Sequence, residues 1–237
     1  MNHMNLNTKK TSILVPFFNE EATLKDAVLD LIYNNLIDEI ILINDGSTDR
    51  SLLISNELIE KYSNIKLINN NLNKGKGYAL RLGLEQANYD FVGIFDADLE
   101  YSAKDLKIMC DFVHKENFDL LLGSRFIGSK HRDNIYLRTF FANKFLSLFF
   151  SKVYRTKVTD IATCLKVFRK SLLKEITLES NGFEIEIELL AKLLFKVKNY
   201  KEVPISYKGR SYLEGKKIKF NDGFKYLYAI LKYKWIK

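Results

Sequence analysis

Three acidic side chains follow a short apolar run in the stretch DFVGIFDADLE, residues 90–100. Residues 91–95 have the composition of a buried strand, and Asp96, Asp98 and Glu100 come next at alternate positions. If the backbone stays extended there, the three carboxylates point the same way and repel one another unless a cation neutralises them. Oxygen ligands suit a hard ion, so the spacing predicts a Mg²⁺ or Mn²⁺ site. The alternative for this segment alone is an acidic, solvated turn.

The elements that must position these carboxylates alternate between strands and helices. We predict strands at residues 11–16, 39–43, 65–68, 91–95 and 120–123, with amphipathic helices between them. This alternation predicts an α/β protein with a mostly parallel central sheet flanked by helices, in which ligands bind at the carboxyl ends of the strands. Polar stretches occur at those ends, at residues 18–20, 44–47, 74–77, 96–100 and 124–125. One edge of the sheet is therefore the candidate site.

The second half of the chain has a different pattern. Residues 137–150 (LRTFFANKFLSLFF) are rich in aromatic side chains, which favours either a helix lying in a membrane interface or an ordinary core helix. A helix at residues 183–195 carries Glu184, Glu186 and Glu188, and residues 203–205 predict a short edge strand. An apolar stripe from Phe220 to Trp235 predicts an amphipathic, lysine-rich terminal helix.

Composition limits the broad class of protein. With 237 residues, 47% of them hydrophobic, the chain can form one large domain, and we see no linker that would divide residues 1–237. Only Cys110 and Cys164 are present, which is consistent with a reducing cytoplasm, and three scattered histidines make a zinc site unfavourable. Neither a signal peptide nor a membrane-spanning run is apparent.

Basic charge is concentrated at the end of the chain. The net charge is +8, and residues 196–237 contain twelve Lys or Arg residues against three acidic ones. Such a segment favours an anionic surface or substrate. Nucleic acid is the rival partner, but no helix-turn-helix, zinc-finger or RNP-like signature accompanies the charge, so we expect no nucleic-acid binding.

Seven motifs together resemble the family 2 glycosyltransferases of GT-A (Rossmann-like) fold, and among them the polyprenyl-phosphate glycosyltransferases such as dolichol-phosphate mannose synthases. The first five are VPFFNE (15–20), NDGSTD (44–49), NKGKG (73–77), DAD (96–98) and GSR (123–125). The two most specific are TDIATCLKVFR (159–169) and EVPISYKGRSYLEGKK (202–217). The resemblance implies that residues 1–125 bind a nucleotide sugar and that residues 126–237 face the acceptor and the membrane.

The resemblance also implies roles for individual residues. The nucleotide is expected against Pro16, Phe18, Glu20, Ile43 and Asp45. Lys74 and Gly77 are expected near the donor, although Lys74 could equally be a solvated surface charge and the glycine part of a plain turn. The metal and diphosphate are expected at Asp96, Ala97, Asp98 and Glu100, with Asp98 essential for catalysis. The predicted cationic residues are Arg125 on the donor, Arg210 and Lys216 on a mobile loop over its phosphates, and Arg138 on the acceptor phosphate.

The implied activity is an inverting transfer of a hexose, mannose first and glucose next, from GDP-mannose or a UDP-hexose to dolichyl or undecaprenyl phosphate. We expect the protein to be attached peripherally to the cytoplasmic face of a membrane. The sequence leaves open whether it needs a membrane-embedded partner protein. One alternative is a family 2 glycosyltransferase acting on a sugar hydroxyl in cell-surface polysaccharide synthesis. Others are a non-catalytic nucleotide-sugar-binding protein recruited to the membrane, and a nucleotidyltransferase, whose usual phosphate loop this sequence lacks.

The acceptor can be narrowed by asking where a general base would be. A sugar hydroxyl needs a general base at neutral pH. The resemblance implies where to look for it, because many family 2 enzymes supply this base from a Glu-Asp pair. This sequence contains no Glu-Asp dipeptide, and Glu184 and Glu186 are the only obvious substitutes. A lipid phosphate is already an anion, so it needs cations in place of a base. We therefore expect Arg125 and Arg138 to matter more than any further carboxylate.

Overall fold

The computed structural model of the protein describes residues 10–36, 38–128, 131–134, 137–210 and 222–235. The strands of these regions are β1 (Thr11–Phe17), β2 (Glu39–Asp45), β3 (Ile65–Asn70), β4 (Phe91–Ile94), β5 (Leu120–Ser124), β6 (Arg132–Asp133), β7 (Lys166–Arg169), β8 (Tyr200–Pro204) and β9 (Tyr207–Lys208). The α-helices are α1 (Leu24–Tyr33), α2 (Ser51–Lys61), α3 (Lys76–Gln86), α4 (Ala103–Glu116), α5 (Leu137–Tyr154), α6 (Ile185–Leu194) and α7 (Asp222–Trp235). A 3₁₀ turn, Lys170–Leu173, follows β7.

The central sheet has the strand order β3-β2-β1-β4-β7-β5-β8. All neighbouring strands are parallel except β7, which runs antiparallel to both β4 and β5. The prediction of a mostly parallel sheet flanked by helices is confirmed. An edge strand is present close to the predicted residues 203–205, but it runs from Tyr200 to Pro204. The sequence did not predict β7, because its first residue is a lysine; Lys166 is nevertheless fully buried.

The order of the strands brings the predicted polar stretches to one edge. Every residue of β1 and β2 is buried, as expected for strands covered by helices on both faces. The chain runs outward from β1 through β2 to β3 and then returns to place β4 on the other side of β1. The segments after β1, β2 and β4 therefore meet at the reversal point, where open α/β sheets bind ligands.

The second half of the chain packs onto this sheet. Helix α6 is buried from Ile185 to Leu193, and α7 packs against both α6 and α5. The Tyr154 hydroxyl of α5 donates a 3.0 Å hydrogen bond to the carbonyl oxygen of Ile230 on α7. Strands β6 and β9 pair in a separate two-stranded sheet. Among the helices described, none has the length and apolar character needed to cross a bilayer.

Candidate active site

The acidic segment after β4 forms a turn. The Phe95 N–H still bonds to the carbonyl of Leu14 in β1, at 3.0 Å, but the regular strand ends at Ile94. The Asp98 carboxylate then accepts the Glu100 N–H at 3.1 Å, and Leu99 takes a φ of 60°. Such a side-chain-to-backbone bond stabilises a turn and competes with extended structure. The expectation of an extended backbone with three carboxylates on one face is therefore wrong.

The first aspartate of this turn is joined to a chain of buried charges. The Lys76 ammonium lies 2.7 Å from Asp96 Oδ1 and 2.9 Å from Asp96 Oδ2. It also lies 2.9 Å from Glu186 Oε1, and the Lys166 ammonium contacts the other oxygen of Glu186. We call Lys166, Glu186, Lys76 and Asp96 the buried ion chain. Its members alternate in sign, and only Asp96 reaches the candidate site with 23% of its side chain exposed.

The charges of the ion chain stabilise one another. Burial by itself would raise the pKa of Glu186, but the adjacent Lys166 and Lys76 outweigh this effect and hold the pKa below its usual value. Burial would likewise lower the pKa of Lys76, and the negative charges of Asp96 and Glu186 raise that pKa well above normal. Glu186 is thus an ionised carboxylate enclosed by two ammonium groups. This position does not suit a base that must reach an acceptor.

Arg210 lies over the other acidic residues of the site. Its guanidinium nitrogen is 2.9 Å from both carboxylate oxygens of Glu20, at the end of β1, and 3.5 Å from Asp98 Oδ2. Its backbone N–H donates to Glu100 Oε1 at 2.8 Å. The structure therefore brings together Glu20, Asp98, Glu100 and Arg210, which are up to 190 residues apart in the sequence.

Arg125 is buried and already paired. Its Nε and one terminal nitrogen donate to the two oxygens of Asp160 at 2.7 and 2.8 Å, and its backbone N–H donates to Asp160 at 3.0 Å. Burial would lower the pKa of Arg125, but the Asp160 carboxylate raises it well above the ordinary value. Because Asp160 neutralises the guanidinium, Arg125 offers a donor less net charge than an unpaired arginine. Its role on the donor stays a prediction.

The predicted nucleotide-binding residue Asp45 holds the neighbouring turn. Its carboxylate accepts the backbone N–H groups of Lys74 and Gly75 at 3.0 and 2.7 Å. Gly75 has a φ of 101°, a conformation that residues with a Cβ rarely adopt. Asp45 thereby fixes the start of α3, and through it the position of Lys76.

The remaining residues predicted on the donor side differ in their exposure and in their contacts. Ile43 is fully buried, and Pro16 and Ala97 are buried too, so none of the three exposes a surface to a nucleotide in this structure. The Gly77 N–H donates to the Asn181 carbonyl at 2.7 Å, so its close backbone approach is to the protein itself. Lys74 is exposed, with its ammonium 4.4 Å from the centre of the Tyr78 ring. Phe18 is half-buried beside Glu20.

The predicted acceptor arginine lies at the start of α5 and is exposed. Two residues later, the Phe140 ring packs edge-on against Phe126, with ring centroids 5.3 Å apart. Phe126 directly follows Arg125, whose guanidinium is 5.6 Å from the Phe126 ring. The start of α5, with Arg138, therefore lies on the side of the site that Arg125 occupies. Lys216 lies outside the described residues.

The sequence analysis did not predict the pairing of Arg125 with Asp160 or of Lys166 with Glu186. Asp160 is visible in the sequence only as part of a family motif, and Lys166 and Glu186 are 20 residues apart on different elements. Tyr207, whose hydroxyl donates to Glu100 Oε2 at 2.8 Å, was also missed. A buried lysine in an apolar strand was the one available signal, since such a residue needs an acidic partner.

Comparison with known proteins supports the resemblance. Residues 12–177 match the model of glycosyl transferase family 2. Over 236 residues the chain is 30% identical to the UDP-N-acetylglucosamine–dolichyl-phosphate N-acetylglucosaminyltransferase of Methanococcus voltae, covering 92% of this chain and 94% of that protein. It is 27% identical over 234 residues to a dolichol-phosphate mannosyltransferase of Pyrococcus furiosus, covering 94% and 64%. Three of the curated relatives are much longer, and the chain spans only 50% to 64% of their length.

Solved structures agree on the fold. The chain superposes with a TM-score of 0.74 on glucosyl-3-phosphoglycerate synthase from Mycobacterium tuberculosis, solved with Mn²⁺, UDP-glucose and phosphoglyceric acid. The match covers 97% of this chain and 81% of that one at 17% identity, so it supports the GT-A fold and carries no conclusion about the ligands. The family model covers most of the sheet and the acidic turn, and from this match we conclude that the chain belongs to glycosyl transferase family 2.

Proposed function

We propose that this chain transfers a hexose from a nucleotide diphosphate sugar to a polyprenyl phosphate. The observation that carries the proposal is the similarity, over more than 90% of the chain, to two relatives named for sugar transfer to dolichyl phosphate. Mannose is our first choice of sugar and glucose the second, with GDP-mannose or a UDP-hexose as donor. The relative named for N-acetylglucosamine adds that sugar to those worth testing.

The charge pattern of the site supports an anionic acceptor. The carboxylates of Glu20, Asp160 and Glu186 are each bound to an arginine or lysine side chain, so these three groups are poorly suited to take a proton from a hydroxyl. A phosphate oxygen needs no such help. Its lone pair forms the new bond to the anomeric carbon while the bond from that carbon to the diphosphate breaks. The nucleoside diphosphate leaves with the electron pair, no proton moves, and the configuration at the carbon inverts.

A divalent metal fits part of the site. Asp96 and Asp98 supply hard oxygen donors at a strand end, the chemistry that Mg²⁺ and Mn²⁺ prefer. Within the described residues, no three acidic, histidine or cysteine side chains are close enough to hold a metal together, so donor phosphates and water would complete the shell. When bound, the ion supplies charge neutralisation for the departing diphosphate. Arg210 would act on the same charge, since its guanidinium already lies 3.5 Å from Asp98.

Two neighbouring helices support a peripheral attachment to a membrane. On α5, Phe141, Phe145 and Leu148 are 60% to 70% exposed at helical spacing. On α7, which packs against α5, the exposed apolar side chains are Phe224, Tyr228, Leu231 and Trp235. Lysines lie between them on both helices. An apolar face flanked by cations suits the surface of an anionic bilayer, where two weak attachments give stable binding.

The proposed activity is tested with purified protein, Mn²⁺, polyprenyl phosphate and a panel of GDP-mannose, UDP-glucose and UDP-N-acetylglucosamine, each labelled in the sugar. We expect label in the lipid extract with one donor, and none when EDTA replaces Mn²⁺. Label appearing only in a soluble sugar acceptor would favour the hydroxyl-acceptor alternative. Donor binding with no transfer to either acceptor would favour the non-catalytic alternative.

Membrane attachment is tested by flotation with vesicles of anionic lipid alone. We expect the protein to float at low salt and to be released as salt rises, because the screening length falls to about 3 Å at 1 M salt. Replacing Phe141 and Phe145 by serine should reduce flotation, whereas replacing the exposed Tyr33 on α1 should not. Binding to pure lipid would show that no membrane-embedded partner is needed, and absence of binding at low salt would contradict the proposal.

A further inference from the structure

Glu100 was predicted as the third metal ligand. Its carboxylate oxygens and its backbone carbonyl accept hydrogen bonds from one short segment. Its Oε2 accepts the Tyr207 hydroxyl at 2.8 Å, and its Oε1 accepts the Arg210 N–H at 2.8 Å. Its backbone carbonyl accepts the Lys208 N–H at 2.9 Å. We call residues 206–210 the Arg210 segment. Three groups of the Arg210 segment thus bond to Glu100, the last residue of the acidic turn (residues 95–100).

Tyr207 is the donor of its hydrogen bond to Glu100, because a phenol carries an O–H group and a carboxylate oxygen accepts. The ring packs on Tyr101, with centroids 5.3 Å apart, and lies 5.0 Å from the Arg125 guanidinium. A second carboxylate after the turn, Asp105, accepts the Ser206 N–H at 2.6 Å. The Arg210 segment is therefore attached at one end to Asp105 of α4 and at the other end to Glu100.

We propose that Glu100 is a positioning residue that holds the Arg210 segment against the acidic turn, and not a direct ligand of the metal. The inference rests on the proposed function for its catalytic consequence. With Glu100 in place, the arginine is held where its guanidinium reaches Glu20 and Asp98.

The geometry favours this role over metal ligation. A direct ligand would have to turn away from both the Tyr207 hydroxyl and the Arg210 N–H, and a buried donor left without an acceptor is costly. The turn also separates the two roles. Asp98 directs one oxygen back to the Glu100 N–H, while its other oxygen faces Arg210. Asp98 thus directs one oxygen into the site, whereas both carboxylate oxygens of Glu100 are bound to the Arg210 segment.

Hydrogen exchange followed by mass spectrometry tests the attachment without any substrate. In Glu100→Ala the Arg210 amide loses its acceptor, and we expect it to exchange about 5-fold faster or more. Glu100→Gln should restore slow exchange, because its amide oxygen accepts the N–H and its NH₂ can donate to the Tyr207 oxygen. Asp111→Ala removes an exposed carboxylate of α4 and serves as the matched control. Equal exchange in the wild type and Glu100→Ala would overturn the proposal.

Mn²⁺ binding, measured by the electron paramagnetic resonance signal of the free ion, separates positioning from ligation. We expect Asp98→Ala to weaken binding about 10-fold or more, as for loss of a metal site's own residues. Glu100→Ala should weaken it clearly less than Asp98→Ala does, because in this proposal the Glu100 carboxylate acts on the site only through Arg210. A loss in Glu100→Ala as large as that in Asp98→Ala would make Glu100 a ligand and overturn the proposal.

Transfer kinetics give the third readout. If Glu100 acts through Arg210, Glu100→Ala should lower kcat/KM for the donor, and adding it to Arg210→Ala should cost nothing further. Independent, multiplicative losses would contradict the proposal. Tyr207→Phe, which keeps every charge, should reproduce part of the Glu100→Ala loss. If the wild-type protein transfers no sugar, the proposed function fails, while hydrogen exchange and Mn²⁺ binding still decide the role of Glu100.

Discussion

Removing one charge from the centre of the buried ion chain should destabilise the protein strongly. Glu186→Gln keeps the size of the side chain but leaves the Lys166 ammonium, which is fully buried, without its carboxylate. Lys76 would keep Asp96 as a partner, so the loss falls mainly on one lysine. Breaking a buried ion pair by neutralising one member costs about 3–5 kcal/mol of unfolding free energy.

This cost is large enough to measure in two ways. For a chain of this size each kcal/mol lowers Tm by about 2–4 °C, so Glu186→Gln should melt about 6–20 °C below the wild type. Urea unfolding should give a lower midpoint with an unchanged slope. The matched control is Glu179→Gln, which removes the same charge from a carboxylate that is 48% exposed and paired with Lys232. Such exposed pairs contribute about 1 kcal/mol or less.

A double variant checks that the cause is the stranded lysine. In Glu186→Gln combined with Lys166→Met, no unpaired ammonium remains at this point of the chain, and part of the stability should return. If Glu186→Gln destabilises no more than Glu179→Gln, or if Lys166→Met makes it worse by an additive amount, the reasoning about the ion chain is wrong.

The same variant bears on the acceptor. Below its melting temperature, Glu186→Gln should still transfer sugar to polyprenyl phosphate, because the Glu186 carboxylate is 3% exposed and lies between two ammonium groups. Glu184→Gln should be active as well. Complete loss of transfer in either variant, with donor binding and fold intact, would identify a general base and move the hydroxyl-acceptor alternative into first place.

Three further predictions address the site and the fold. Asp98→Ala should abolish transfer with the fold intact, although loss of the hydrogen bond from the Glu100 N–H should cost about 1 kcal/mol of unfolding free energy; transfer by this variant in excess EDTA would refute the metal assignment. Arg138→Ala should raise KM for polyprenyl phosphate with kcat nearly unchanged, and Lys152→Ala, at the other end of α5, should not. Glu39→Gln should lower stability by about 2 kcal/mol at pH 7. Desolvation raises the pKa of Glu39, but its hydrogen bonds, first that from Asn88, lower it overall.

The stability that the Glu39 carboxylate contributes should depend on pH. A carboxyl whose pKa is lowered by folding stabilises the protein above its unfolded pKa of about 4.3, and the contribution is lost as the pH falls through the folded value. The difference in unfolding free energy between the wild type and Glu39→Gln should therefore be constant above about pH 5 and shrink in more acidic solution. A difference that persists undiminished at pH 3 would attribute the loss to packing and not to charge.

How much the sequence could predict depended on the range of the interactions. The periodic apolar runs predicted β1 to β5 and the helices between them, because those patterns reflect local burial. The topology of an α/β sheet then put the polar ends on one edge. Strand β7 was not predicted, because its burial depends on the pairing of Lys166 with Glu186, a contact between distant elements. No local pattern predicts such a partner.

The prediction of an extended backbone at the acidic turn was wrong for a different reason. Alternation of Asp96, Asp98 and Glu100 implies one face only if the backbone is extended, and the Asp98 side chain instead accepts the Glu100 N–H. Aspartate is among the residues most able to replace strand bonds with a local one. The spacing therefore drew attention to this edge of the sheet but did not predict the hydrogen bonds of Glu100 with Tyr207 and Arg210.

The position of Arg138 connects the two halves of the proposed function. A polyprenyl phosphate stays in the bilayer, so its phosphate can approach the sugar only from the plane of the membrane. Helix α5 presents exposed Phe141 and Phe145 along one side and Arg138 at its start. That start packs through Phe140 against Phe126, the residue after Arg125. A helix lying in the interface would thus hold a lipid phosphate at its first turn, on the side of the site where Arg125 lies, while the donor would enter over the carboxyl ends of β1, β2 and β4.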